Sequence, residues 1–396
     1  MTIRAVPGCA ALGVVLIACA HGGSADSAKA PTGAVEARTF LYSDDSGLTV
    51  ATAAATVDER VAPRVSVYAR AVSDYIHLER KQLDPSDPTI SQVLTGHRDA
   101  DVVTSASALP SGGGSTDKWR AEVAAGPTVD GRLGQNPATL GALVRTSFEP
   151  DYRSYSGLVR GTASLFQQNL TLSAFLGFGH DDVLPSIAPP GEAALWPASH
   201  DRVTAGATMS QLLTPLLVVS AGLAGSRQQG QLASPYRRAL VKTTLFPEAV
   251  PDVRARATSF IAISAYVAHG TGAHLRLGGY LDSWGVEAII PEASLTREFG
   301  ARWLVYGQYR LYLQTPASFY QPIYTQVLPI TSGDPRAGRI RAHAAGVGVE
   351  VRPFDAVAQE SPIAIVASYD FAMTSYLLLE QVVVAQIVSL GFTMSY

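Results

Sequence analysis

The chain has 396 residues, 47% of them hydrophobic and only 16% charged, against about 25% charged in soluble globular domains. A formal charge of −3 with a pI near 6.2 excludes the basic footprint of a nucleic-acid binder. Mean hydropathy is +0.15, yet nowhere do about 20 predominantly apolar residues run together. That excludes a bundle of membrane helices and leaves strands, in which only every second residue needs to be apolar, as the way to cross a bilayer.

Read from the start, Arg4, the apolar run 9–18 and the small residues Ala18, Cys19 and Ala20 predict a secretory signal peptide over 1–20. Leu16-Ile17-Ala18-Cys19 also fits a lipobox in which Cys19 would be lipidated, with ordinary cleavage after Ala20 as the alternative. Cys9 and Cys19 are the two cysteines, so no disulfide or thiol chemistry is expected in the mature body. Residues 21–46 begin Ala-, Gly- and Ser-rich and predict a flexible periplasmic linker. The barrel itself is expected to fill 47–396.

From there the chain divides into segments of about ten residues separated by turn chemistry. The stretch 203–226 carries no charge and alternates, with Thr204, Thr208 and Ser210 interleaved and Pro215 at a turn. In 254–267, Ile261, Ile263, Ala265 and Val267 oppose Arg254, Arg256, Thr258 and Ser264. In 273–284, Leu275, Leu277, Gly279 and Leu281 oppose His274, Arg276, Tyr280 and Asp282. In 302–313, Trp303, Val305, Gly307, Tyr309, Leu311 and Leu313 oppose Arg302, Gln308, Arg310 and Tyr312. A period of two sends each set to one side of a sheet. The last segment alternates Val388, Leu390, Phe392, Met394 and Tyr396 with Ser389, Gly391, Thr393 and Ser395. It resembles the aromatic-ending sorting signal of bacterial outer-membrane barrels.

Connection lengths support the same reading. Short turns at 167–169, 214–215, 269–272 and 299–300 alternate with long segments at 181–201, 228–253 and 315–338, as periplasmic turns alternate with external loops. Residues 75–98 make an awkwardly long inner turn on this count. The fold expected is all-β, an antiparallel transmembrane β-barrel of about 16 strands, with 14 as the runner-up.

The polar faces supply the candidates for function. Arg254, Arg256, His274, Arg276, Asp282, Arg302 and Arg310, with Arg339, Arg341 and His343 on a later strand, are predicted to face the lumen. Arginines lining a pore favour anions. The alternative is that they pair with Asp282, Glu292, Glu298 or Glu350 in a sealed interior. Trp119, Trp284, Trp303, Tyr309, Tyr320 and Tyr324 are expected in interfacial girdles. His180-Asp181-Asp182 falls at a predicted rim, where a hydrolase would need groups converging on one water; a single tripeptide does not provide that. The glycine run 111–115 is not followed by Lys-Ser/Thr, as a phosphate loop requires, and reads as a loop tip. No catalytic residue, metal ligand set or cofactor is expected.

Several stretches together carry a resemblance to a known family. They are DVVTSAS (101–107), FQQNLTLSAFLGFGHDDV (166–183), SPYRRALV (234–241), VRARA (253–257), GYLDSWGVEA ending at Ala288, and YGQYRLYLQTPASFY (306–320). In order and spacing they resemble the uncharacterised family called domain of unknown function 3570, over roughly residues 40–396. The resemblance implies an outer-membrane barrel and no particular activity. The function expected is a porin-like passive channel for small polar or anionic solutes, in contact with membrane lipids. A non-conducting structural or assembly barrel holding a periplasmic or surface partner is the alternative, and a rim hydrolase a second one.

Overall fold

The computed structural model describes residues 33–78, 116–185, 196–235, 237–353 and 363–396. The signal peptide, Cys19, the start of the linker and the glycine run at 111–115 lie outside the described residues. The first nine strands are β1 (Gly33–Asp44), β2 (Leu48–Ala62), β3 (Val65–Leu78), β4 (Thr116–Leu133), β5 (Asn136–Glu149), β6 (Tyr152–Leu165), β7 (Leu170–Val183), β8 (Ala198–Thr214) and β9 (Leu217–Gly230). A short hairpin follows, β10 (Arg238–Val241) and β11 (Thr244–Pro247). Then come β12 (Val253–Ala268), β13 (Thr271–Asp282), β14 (Glu287–Phe299), β15 (Trp303–Gln314), β16 (Ile340–Val351), β17 (Ile363–Tyr376) and β18 (Gln381–Ser395). All but the β10–β11 hairpin pair in sequence to form one closed barrel of sixteen strands, sealed where β1 meets β18. No helix among the described residues is long and apolar enough to cross a membrane.

The alternation read from the sequence explains the wall. On β4 the outward Val123 is 52% exposed while its neighbours Glu122 and Ala124 are buried. On β13 Leu275, Leu277 and Leu281 are exposed, and Gly278 between them is buried. The apolar side chains thus stand outward and the polar ones inward, the inverse of a soluble sandwich, whose apolar face would be covered. Strands of 12 to 18 residues extend about 40–60 Å at about 3.3 Å per residue. Tilted by roughly 40°, they exceed an apolar band of about 25 Å.

The tilt is visible in the register. The row of Cα partners Leu41–Val388–Tyr369–Val347–Gly307–Leu295–Ala273–Ala265–Leu217 starts near the far end of β1 and arrives at the first residue of β9. A line perpendicular to the strands therefore crosses from one rim to the other within half a circuit. This stagger is what closure of a sheet demands.

The two rims differ. At one, six of the seven connections are short, 63–64, 134–135, 166–169, 215–216, 269–270 and 300–302, and the seventh spans 352–362. Gly270 turns the chain there in the left-handed region, φ +66°, where a side chain would be strained. At the other rim lie the long connections 79–115, 184–197, 231–252 and 315–339. Two expectations change. The strand β1 begins at Gly33, inside the segment read as linker, because its outward Val35, Ala37 and Thr39 are too small to give a strong periodic signal. The awkward inner turn at 75–98 also dissolves: β3 continues to Leu78, and the chain leaves it at the loop rim.

Aromatic residues split by position. Trp119 and Trp303 stand outward near opposite rims, 62% and 51% exposed, as a girdle requires. Tyr320 and Tyr324 are buried in the 315–339 loop instead, and Trp284 packs edge-on against Phe319. Those three are loop-core residues.

Candidate functional site

The lumen is the site the sequence singled out, and its charges are laid out by strand parity. Arg254 and Arg256 on β12, His274, Arg276 and Asp282 on β13 and Arg310 on β15 share the inward side with buried Ala262, Gly278 and Tyr312. The Asp282 carboxylate pairs with Arg254, accepts from the Tyr280 hydroxyl at 2.8 Å, and accepts the backbone amides of Trp284 and Val286 at 2.9 and 3.0 Å. Arg254 also lies 4.0 Å from the centre of the Trp284 ring. Arg276 donates to Glu292 at 2.9 Å, and Glu292 meets Arg310 at 3.2 Å from its other oxygen. His274 exchanges a hydrogen bond of 2.8 Å with Ser264. Arg254, Arg276 and Arg310 are thus held by carboxylates, an arrangement that stiffens a wall and offsets their charge.

Three of the arginines lie elsewhere. Arg302 sits in the exposed turn 300–302, one residue before β15, where its carbonyl accepts from the Arg352 amide. Arg339 and Arg341 face outward, as does His343. The parity of β16 was misread because its inward positions are Ala342, Ala344, Gly346 and Gly348, too small to mark either side as polar. Their smallness makes room for Tyr306 and Asp370, which would meet a side chain placed at Gly348 or Gly346.

The first half of the barrel contributes a second charged set that the sequence reading passed over. Arg120 on β4 donates to Asp74 on β3 at 2.5 Å, with side-chain exposures of 7% and 1%. Asp74 also accepts from Thr52 at 2.6 Å. Arg145 pairs with Glu122 at 2.5 Å, and Lys118 with Asp151 at 2.6 Å. The signal was present as Lys118, Arg120 and Glu122 at alternate positions. It was hidden by the misplaced end of β3.

His180-Asp181-Asp182 divides between the two faces. His180 points outward to Asp201 at 2.7 Å and Asp182 at 3.2 Å. Asp181 points inward, 3.1 Å from His200 and 3.6 Å from Arg202. The three residues do not converge on a common reacting atom. Among the described residues no group of His, Cys, Asp and Glu has the arrangement of a metal site.

At the loop rim, folded chain packs against inward residues at the strand ends. The β10–β11 hairpin and the 315–339 loop are stitched by backbone bonds from Lys242 to Tyr324 and from Ala249 and Thr331 to each other. Ala239, Val241 and Tyr324 form their apolar centre. Beneath it Arg237 and Arg336 hold Asp334, while Glu248 accepts from the Ser234 amide and the Ser332 hydroxyl. Burial would raise the Asp334 carboxyl, but the two arginines outweigh it and hold it well below the usual range. For Glu248 burial wins over Arg237, and its pKa is raised. The inward Gln314 side chain ties this cap to the wall by donating to the Arg336 and Gly338 carbonyls at 2.7 and 2.9 Å. Toward the turn rim, serines and threonines line the inner wall together with charged residues, and Thr208, Arg160 and Asp58 are exposed.

Among solved structures, a bacterial polysaccharide outer membrane secretin is similar with a TM-score of 0.51 at 9% identity, over 92% of this chain and 99% of that one. The ferric enterobactin receptor PfeA of Pseudomonas aeruginosa gives 0.44 at 9% identity, over 87% and 54%. The siderophore receptor PirA of Acinetobacter baumannii gives 0.43 at 11%, over 89% and 54%; the chain spans about half the length of either receptor. No curated protein matches the chain in sequence. The secretin shares the fold of an outer-membrane barrel, and at this identity the likeness concerns fold alone. The ordered stretches that carried the resemblance fall within a match of the family profile over residues 7–364, and the chain belongs to that family, described as Protein of unknown function (DUF3570).

Proposed function

We propose that the protein is an outer-membrane channel for small polar solutes, with its turn rim in the periplasm and its loop rim outside. The supporting observation is the closed sixteen-stranded wall whose inner face near the turn rim is lined by serines, threonines and charged residues. Barrels of this strand number are wide enough to hold water. Ion pairing along the lumen alters the selectivity expected of it: Arg254, Arg276 and Arg310 each face a carboxylate, so they do not act as an anion-selecting ring. On this reading the protein catalyses no reaction, and its exterior is solvated by membrane lipid.

The test is single-channel recording from detergent-purified, heat-modifiable protein in planar bilayers across a KCl gradient. The expected result is stepwise current with a reversal potential close to zero. A reversal potential near the chloride limit would contradict the charge-balanced lumen. The absence of steps from correctly folded protein would favour the second reading, a non-conducting barrel that holds a partner. The stitched cap at the loop rim is the observation that favours it.

A further inference from the structure

The outer wall between β9 and β16 is not a uniform apolar surface. It holds a concavity of about 680 Å³ lined by Leu223, Ala257, Ser259, Gly279, Leu281, Ile289, Leu313, Leu377 and, at one end, Glu287, Arg339 and Arg341. Small residues make its floor: a side chain added at Gly279 would come within 3.1 Å of the Ser259 hydroxyl. Larger outward residues, Leu223, Leu281 and Leu313, make its walls.

Its course follows from the register. The partner row Arg341–Leu313–Ile289–Gly279–Ser259–Leu223 starts at the second residue of β16, beside the loop rim, and ends midway along β9. Five interstrand steps of about 4.8 Å give a path of roughly 24 Å. Because the strands tilt, this path descends from the rim into the middle of the apolar band.

The cations lie at its upper end. Arg339 and Arg341 are exposed, and neither forms an ion pair among the described residues. Arg341 donates to His343 at 3.0 Å, and His343 in turn meets the Tyr309 hydroxyl at 2.7 Å. The single carboxylate in the lining, Glu287, is outnumbered. On the lumen side Arg254, Arg276 and Arg310 each meet an acid; two exposed guanidinium groups on the lipid-facing side, above an apolar channel, suit an anion attached to an apolar chain.

We propose that this groove binds a phosphorylated acyl lipid of the outer leaflet. Its phosphate is held by Arg339 and Arg341, and one acyl chain runs down over Gly279 toward Leu223. Guanidinium groups bind phosphate through paired, charge-assisted hydrogen bonds, and the descending floor supplies the apolar area. The proposal rests on the reading that the outer wall meets lipid.

The experiment is native mass spectrometry of the detergent-purified full barrel titrated with diphosphoryl lipid A, the same lipid with its phosphates removed, and inorganic phosphate. Each sample is first shown to be heat-modifiable and to fractionate with membranes. Failure at that stage would overturn the membrane reading and the proposal with it. A folded membrane barrel that retains no lipid would overturn the proposal alone. The expected result is retention of the diphosphoryl lipid, weakened about tenfold or more by Arg339→Gln with Arg341→Gln and similarly by removal of the phosphates. Gly279→Leu, which fills the floor, is expected to weaken lipid retention as well. Equal binding of lipid by wild type and both variants would refute the site. So would inorganic phosphate displacing the lipid at equal concentration, because it would show that the chain adds nothing.

Discussion

Asp74 and Arg120 form a deeply buried ion pair of the wall, and the consequence belongs to those two residues. Their side chains are 1% and 7% exposed, so removing the acid leaves a cation with neither water nor a partner. Breaking such a pair costs about 3–5 kcal/mol. We expect Asp74→Ala to lower barrel stability by that order, read as a shift of the urea midpoint at which heat-modifiability is lost. Arg60 and Asp130, 3.7 Å apart with about half of each side chain exposed, provide the contrast. Arg60→Ala should change the midpoint by less than about 1 kcal/mol. Equal effects of the two substitutions would mean that the upper lumen admits water freely. Gly126 makes a different single-residue demand: beside Pro127 the ladder between β4 and β5 is interrupted, and the Ala142 carbonyl leans into the space a side chain would fill. Gly126→Val should reduce the yield of folded barrel in a refolding assay while leaving the other strand sequences intact.

At the scale of the element, the cap is held by groups with opposite pH responses. The depressed pKa of Asp334 means that its pairs with Arg237 and Arg336 stabilise the cap above the ordinary aspartate range, about pH 4, and are lost as pH falls toward its lowered value. Glu248 behaves in reverse. Its raised pKa means that the protonated form suits the folded cap, and that contribution is lost as pH rises through the raised value. The cap is therefore best held in mildly acidic solution. At pH 8, Glu248→Gln, which keeps the shape without the charge, should slow proteolytic nicking of the 231–252 loop. Asp334→Asn should speed it. Opposite changes would show that the buried carboxylate of Glu248 is a net support.

For the whole molecule, the cap and the wall make separable predictions. If the cap limits passage, replacing 320–333 by a short Gly-Ser link should raise single-channel conductance without changing ion preference, because the paired lumen charges are untouched. A large shift in reversal potential on that replacement would place the selective element in the loops. The groove on the outer wall is independent of both, since its arginines face away from the lumen.

The sequence by itself determined the strand class, the inversion of apolar and polar faces, the alternation of short turns and long loops, and membership of the family. Each of these depends on local periodicity, and a period of two is visible wherever one face carries large apolar residues, as in Leu275, Leu277 and Leu281 or Trp303 through Leu313. Where both faces are small, that signal disappears. The strand β1 was lost in a linker, and the parity of β16 was reversed because Gly346 and Gly348 made its lumen side look featureless. Only the tertiary structure decided which arginines met which acids. The partner of Arg254 is 28 residues away, at Asp282, and that of Arg120 is 46 away, at Asp74. The groove from Arg341 to Leu223 exists only because closure of the sheet staggers six strands into one descending row, a geometric consequence of shear that no segment carries alone.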